Sequence, residues 1–163
     1  MGKRKFDAGL SMHNRRSIRL KTHDYTSTKA YYITTNANTT EPIFDIPELR
    51  KILQDEWEKL PKRFPSITLD EFIIMPDHIH CIIWLNGLAK NAPTLGQVIG
   101  AYKSITTVAW IQHIKDHRLE LCGLIWHRNY YEKIVWGHTE LENYRQYIRI
   151  NPIRVLPTAH NPQ

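Results

Sequence analysis

The apolar positions change period several times along the chain, and each change marks an element. Lys29-Ala30-Tyr31-Tyr32-Ile33-Thr34-Thr35-Asn36 is dense in aromatic and β-branched residues and gives way to the polar run Asn36 to Thr40, which predicts a strand followed by a loop. Pro47 suits a first helical turn, and Leu49, Ile52, Leu53, Trp57 and Leu60 then recur at helical spacing up to Pro61. A helix over 47–60 follows. The runs Ile67 to Met75 and Ile79 to Leu85 read as strands broken only at Pro76-Asp77, a link so tight that the two must be neighbouring and antiparallel.

From Leu95 the positions Val98, Ile99, Tyr102, Ile105, Val108, Ala109, Ile111 and Ile114 repeat near 3.6 residues, predicting the longest helix, from Thr94 as N-cap to about Asp116. Residues 130–136 favour a strand. Gly137-His138 then turns the chain into Thr139-Glu140-Leu141-Glu142, which has the spacing of a capping box, and a short helix over 140–150 is predicted to stop at Asn151-Pro152. Strands alternate with helices, yet two strands share a tight link, so the pattern predicts an α+β sandwich with a mainly antiparallel sheet rather than a doubly wound one. There is no internal repeat, no domain-scale linker and no glycine-rich loop to cradle a nucleotide cofactor.

Composition narrows the partners. The 163 residues are 42% hydrophobic and 23% charged, which suits one globular domain with a real core. The formal charge of +6 with a pI near 9.4 favours polyanions. Lys3, Arg4, Lys5, Arg15, Arg16, Arg19 and Lys21 stand against the single acid Asp7, so residues 1–21 read as a flexible basic arm. Phosphate contact through Arg15, Arg16 and Arg19 is one use for it, and a solubilising tail is the other. No apolar run approaches the roughly 20 residues of a membrane span, and no apolar leader follows Met1, so a cytoplasmic protein without membrane partners is expected. Cys81 and Cys122 lack the spacing of a zinc clamp or a disulfide framework.

Two constellations carry chemistry. His78 and His80 lie two apart on a strand, so their imidazoles share a face and can share one divalent ion, within an apolar frame (Ile73, Ile74, Ile79, Ile82, Ile83) that penalises unpartnered polar groups. A plain hydrogen-bonded pair is the alternative. Tyr147 and Asn151 lie four apart and therefore one above the other on a helix. With Leu141 at 0°, Ile148 falls at about 340°, Asn151 at about 280° and Tyr147 at about 240°, so the pair flanks the buried stripe. They read either as a core-margin tyrosine with a C-capping asparagine, or as a nucleophile beside an amide oxygen able to ligate metal. Trp126, His127, Arg128, Asn129, Tyr130 and Tyr131 interleave aromatic and basic groups, as sheet core or as a stacking surface for bases. Lys103 sits on the polar side of the long helix, solvated or against a DNA backbone.

These segments, together with His23-Asp24-Tyr25-Thr26, Leu69 to His80, Lys103-Ser104, Trp126 to Glu132 and Tyr147 to Pro152, resemble the REP-associated tyrosine transposases, which are single-tyrosine HUH nucleases related to insertion-sequence transposases. The resemblance runs in order from about residue 15 to 156. It implies a compact ferredoxin-like domain of HUH nuclease type over 22–157, between the basic arm and a tail over 158–163. It implies Tyr147 as nucleophile, His78, His80 and Asn151 as ligands of Mg²⁺ or Mn²⁺, single-stranded DNA with stem-loop repeats as partner and Lys103 as a DNA contact, to which charge and aromatic patterning add Arg15, Arg16, Arg19, Arg128 and Tyr130 as expected DNA contacts. The expected activity is cleavage and rejoining of DNA through a 5′-phosphotyrosine, by a monomer with the tyrosine in cis or by a tyrosine-exchanging dimer. Asn151 stands where insertion-sequence relatives carry Gln, and Asp77 where many REP-associated members carry Asn.

Two other classes compete. A histidine-triad nucleotide hydrolase needs a third alternating histidine, and Ile82 occupies that place. A catalytically silent module for structured single-stranded DNA or RNA would use the same basic and aromatic surface, but gives no role to His78, His80, Tyr147 and Asn151 together.

Overall fold

The structure is a computed structural model that describes residues 28–155, with side chains through Pro152. The predicted basic arm, with Arg15, Arg16 and Arg19, and the predicted tail lie outside the described residues. Strand β1 (Thr28–Ala37) leads through a single 3₁₀ turn (Ile43–Asp45) to helix α1 (Pro47–Arg63). A hairpin of β2 (Ile67–Ile74) and β3 (His78–Asn86) follows, then helix α2 (Leu95–His117), strand β4 (Trp126–Val135) and helix α3 (Gly137–Val155). The sheet order is β2-β3-β1-β4 with every pairing antiparallel. A β-α-β-β-α-β chain in this order is the ferredoxin-like arrangement, here extended by α3, and it is the expected α+β class.

Alternation along the strands divides the core in two. Tyr31, Ile33, Cys81, Ile83 and Leu85 face α1 and α2, and pack with Leu49, Leu53, Trp57, Val98, Ile99, Tyr102 and Trp110. Ala30, Tyr32 and Ile82 face the other way, and with Val135 they are covered by Leu141 and Ile148 of α3. Large polar-tipped residues in the first layer have partners: Tyr102 Oη donates to the Leu53 carbonyl at 2.9 Å and Trp126 Nε1 to Thr106 Oγ1 at 2.9 Å. The second layer is thinner, because a single helix covers the sheet there.

Element ends depart from expectation where local signals compete with tertiary contacts. Helix α1 continues through Pro61 to Arg63; that proline falls in the last turns, and the Phe64 N–H still closes on the Leu60 carbonyl at 2.8 Å. The predicted N-cap of α2 holds, since Thr94 and Gln97 form a reciprocal capping box. Strand β4 starts at Trp126 rather than at residue 130, because its polar first residues occupy a sheet edge with a register shift opposite Thr35 to Ala37. Helix α3 begins at Gly137, whose φ of +72° favours glycine, so the expected box from Thr139 to Glu142 does not set its start. Glu140 accepts the Trp136 N–H at 2.6 Å instead. At the other end α3 runs past Asn151 and through Pro152, so Asn151 is not a helix cap.

Candidate active site

The register of β1 on β3 sets the site's floor. Thr34 pairs with His80 and Asn36 with His78, and Tyr32, Thr34, His78 and His80 all point to the α3 face. His78 and His80 turn their Nε2 atoms toward each other, 3.0 Å apart. Their Nδ1 atoms turn outward to separate partners. His78 Nδ1 donates to the Asp77 carboxylate at 2.6 Å, so its Nε2 is the nitrogen turned to His80. His80 Nδ1 meets Tyr32 Oη at 2.8 Å and Thr34 Oγ1 at 2.9 Å.

Burial, and then the neighbouring His78, lower the His80 pKa to about 4, so His80 is neutral at ordinary pH. Burial also pushes the Tyr32 hydroxyl up to about 12, with Tyr147 and Tyr144 adding to the rise against a lowering hydrogen bond from Thr34, so it remains protonated. Two imidazoles that turn their Nε2 atoms to each other, each oriented through its other nitrogen by an oxygen, form a donor set of the type suited to a cation.

Helix α3 supplies the opposite wall. Tyr147, 38% exposed, lies edge-on to His80 with ring centroids 5.4 Å apart. Tyr144 stacks on Tyr32 at 4.3 Å. One turn beyond Tyr147, Asn151 is buried, and its Nδ2 is without a hydrogen-bond partner. A buried amide left unpaired costs about 1–3 kcal/mol, an expense commonly tied to function. Among the described residues no three His, Cys, Asp or Glu side chains converge on a metal position. Asn151, buried one turn beyond Tyr147, is of a residue type whose amide oxygen is able to ligate a cation.

Ion pairs hold α3 in place. Arg145 grips Asp70 of β2 through Nε at 2.9 Å and an Nη at 2.6 Å, while Trp84 Nε1 donates to the same carboxylate at 2.8 Å. Burial alone would raise the Asp70 pKa, but the hydrogen bonds from Arg145 and Trp84 hold it below the usual carboxylate value. One turn later Arg149 pairs with Glu71.

The structure thus brings His78, His80 and Tyr147 to one face, with Asn151 buried one turn further along α3, and separates them from other expected site residues. Lys103 and Tyr130 lie on the α2 side of the sheet. Tyr130 packs against the first core layer, and the Lys103 ammonium donates to the His127 and Asn129 carbonyls on the outer edge of β4 at 2.9 and 3.1 Å. Burial lowers the Lys103 pKa to about 8. Arg128 is exposed near the register shift of β4. On the histidine face stand Tyr32 and Thr34, which spacing did not single out as functional, and Tyr131 of the aromatic and basic run, 52% exposed and edge-on to Tyr32. The period-two match of Tyr32 and Thr34 with His78 and His80 is visible in the sequence only once the strands are known to pair.

The fold is thus an α+β sandwich whose antiparallel sheet carries a pair of facing imidazoles, with a tyrosine on the helix above it. Residues 47–151 match the family described as "Transposase IS200 like", and the chain belongs to that family. An uncharacterized protein of Haemophilus influenzae is 31% identical over 175 residues, spanning 91% of this chain and 93% of that one. The fold is also that of a solved REP-associated tyrosine transposase bound to a REP hairpin, with a TM-score of 0.62 and 18% identity over 81% of this chain and 71% of the other. A candidate transposase of Deinococcus radiodurans R1 aligns with a TM-score of 0.51 and 19% identity over 79% of this chain and 95% of its own. Among the described residues no helix is long and apolar enough to cross a membrane.

Proposed function

We propose that this transposase is a single-tyrosine enzyme that cleaves and rejoins single-stranded DNA at hairpin-forming repeats, with Tyr147 as nucleophile and His78, His80 and Asn151 as ligands of Mg²⁺ or Mn²⁺. The observation that carries the reading is Tyr147 standing edge-on to His80, whose Nε2 turns to that of His78, within one chain. A divalent ion held there would polarise the scissile phosphate and stabilise charge on the departing 3′ oxygen.

The chain's own residues account for the rest. Tyr147 gives up its proton and forms an O–P bond, the bond to the 3′ oxygen breaks, and that oxygen takes up a proton to become a 3′-OH. The 5′ end stays on Tyr147 as a phosphotyrosine, so attack by a 3′-OH can reverse the step or join new ends without an external energy source. Asp77, Tyr32 and Thr34 orient the imidazoles. Arg15, Arg16, Arg19 and the exposed Arg128 are proposed to contact phosphates. Tyr147 stands beside the histidines of its own chain, which supports a site assembled in cis and a monomer, in the cytoplasm with the DNA. Lys103 and Tyr130 are proposed as DNA contacts on the far side of the sheet, where Lys103 would have to exchange carbonyl partners for phosphate.

The experiment is incubation with single-stranded hairpin oligonucleotides drawn from the repeats flanking its own gene, with Mg²⁺ or Mn²⁺, followed by a denaturing gel. The wild-type chain is expected to form a covalent adduct that Tyr147→Phe abolishes while hairpin affinity stays near wild type. No adduct on any such strand, or an adduct that survives in Tyr147→Phe, would refute the assignment; Tyr144, Tyr131 and Tyr130 would be the next hydroxyls to test. Tight hairpin binding with no adduct would make the protein a binding module.

A further inference from the structure

Helix α2 carries a second pair of imidazoles, in the other layer of the molecule from the candidate active site. His113 and His117 are four apart near its C-terminal end, and their rings lie face to face with centroids 4.1 Å apart and 29° between planes. Each ring is held from a second side. His113, half-buried, stacks on the buried Trp110 at 5.5 Å with planes 9° apart, and Trp110 is fixed in turn by its Nε1 donating to the Cys122 carbonyl at 3.1 Å. His117 Nδ1 donates to the His113 carbonyl at 2.9 Å, so Nε2 is the nitrogen that its exposed ring turns outward. Strand cleavage makes no use of either residue, because α1 and α2 cover one face of the sheet while His78, His80 and α3 occupy the other.

We propose that His113 and His117 form a chelating site for a late first-row transition-metal dication, Zn²⁺, Ni²⁺ or Cu²⁺, across the last turn of α2. Two histidines at i, i+4 on one helix face can offer a nitrogen each to a single ion, so the second donor binds as a tethered group. Donor chemistry selects the metal. Imidazole suits Zn²⁺, Ni²⁺ and Cu²⁺, whereas Mg²⁺ and Mn²⁺ favour oxygen, so this site and the one beside Tyr147 would take different ions. A backbone carbonyl holding the second nitrogen, as at His117, is the usual outer support of a metal-binding imidazole. The unpaired carbonyls of the helix end add a partial negative charge that favours a cation there. Coordination needs the angle between the two rings to widen, a turn that exposed His117 can make while Trp110 anchors His113. The neighbouring Asp116 carboxylate accepts from Gln112 Nε2 at 2.7 Å, which leaves the two imidazoles as the protein donors and the remaining positions to water. The bound ion would tie the final turn of α2 together and stabilise the folded chain in proportion to its concentration.

The test is titration of the full wild-type chain with Ni²⁺ by calorimetry, in excess Mg²⁺ and without DNA, beside melting curves at increasing Ni²⁺. One bound equivalent is expected that His113→Ala and His117→Ala each weaken about tenfold or more and that His80→Ala leaves in place. The melting temperature should rise with Ni²⁺ in the wild type and rise less in both variants. His117 is exposed, so His117→Ala is expected to melt like the wild type when no metal is added, which separates loss of a ligand from loss of the fold. With one equivalent of Cu²⁺, electron paramagnetic resonance should show coupling to two imidazole nitrogens, and to one in His117→Ala. Ni²⁺ binding that is absent, or unchanged in His113→Ala and His117→Ala, would overturn the site. An equivalent lost in Cys122→Ser but kept in His117→Ala would assign the ion to the thiol and overturn it equally.

Discussion

The hydroxyls around His80 show how single atoms prepare the site. Tyr32 Oη and Thr34 Oγ1 both reach His80 Nδ1, so either one can keep the ring in the tautomer that frees Nε2. Removing one hydroxyl should therefore matter less than removing both. Tyr32→Phe and Thr34→Val are each expected to weaken Mn²⁺ binding only modestly, whereas the double variant should lose about 10–100-fold, as measured by calorimetry on the DNA-free protein. Equal affinity in the double variant would remove the orienting role. Asn151 offers a sharper separation of structure from function. Its Nδ2 is buried without a partner, so Asn151→Leu puts an apolar group where an unsatisfied one stood. The variant is expected to melt at or above the wild-type temperature while binding Mn²⁺ more weakly. A lower melting temperature with unchanged Mn²⁺ affinity would instead make Asn151 a structural residue.

At the scale of elements, the position of the tyrosine helix depends on charges as much as on apolar contact. Helix α3 buries Leu141 and Ile148 fully, but its orientation across the sheet is fixed by Arg145 on Asp70 and Arg149 on Glu71. Asp70 is the more consequential partner, since it also accepts from Trp84. Asp70→Asn is expected to cost about 2 kcal/mol at neutral pH, measured by urea unfolding. The folded-state pKa of Asp70 lies below its unfolded value, so its contribution is complete above the ordinary carboxylate range and fades as pH falls through the folded value. The stability gap between wild type and Asp70→Asn should thus close as the pH drops below about 4. A gap that persists or widens in acid would contradict the ion-pair account. On the other edge of the sheet, Lys103 caps two outward carbonyls of β4, which blunts an edge otherwise open to a further strand.

For the whole molecule the relevant quantity is charge. A formal +6, with seven basic residues against one acid before residue 22, should make DNA binding strongly dependent on salt. The logarithm of hairpin affinity is expected to fall linearly with the logarithm of salt concentration, by about 0.7 for each single-strand phosphate neutralised. Replacing Arg15, Arg16 and Arg19 together by Gln should shallow that slope by about two while leaving Mn²⁺ affinity unchanged. An unaltered slope would show that the arm does not reach the backbone. Equal affinity for a random duplex and the hairpin strand across the series would count against single-strand recognition.

Much of this was written locally. The strand and helix periods, the Thr94 cap, the tight β2–β3 link and the same-face histidines depend on neighbours within a few residues, so they are legible in one dimension. So was the chemistry of His78, His80, Tyr147 and Asn151 as residue types at two spacings. Their convergence was not derivable from periodicity, because it depends on β1 inserting between β3 and β4 and on α3 crossing the sheet on the side away from α1 and α2. Only pairing across dozens of residues places Tyr32 and Thr34 under His80, puts Tyr131 rather than Tyr130 on the histidine face, and turns Lys103 from a surface charge into an edge clasp. The ends of β4 and α3 shifted for the same reason: polar residues and a capping pattern are local preferences worth a few kcal/mol at most, and burial of Trp126, Leu141 and Ile148 outweighs them. Sequence determined which groups are available and which face of its element each occupies; tertiary structure decided which faces meet.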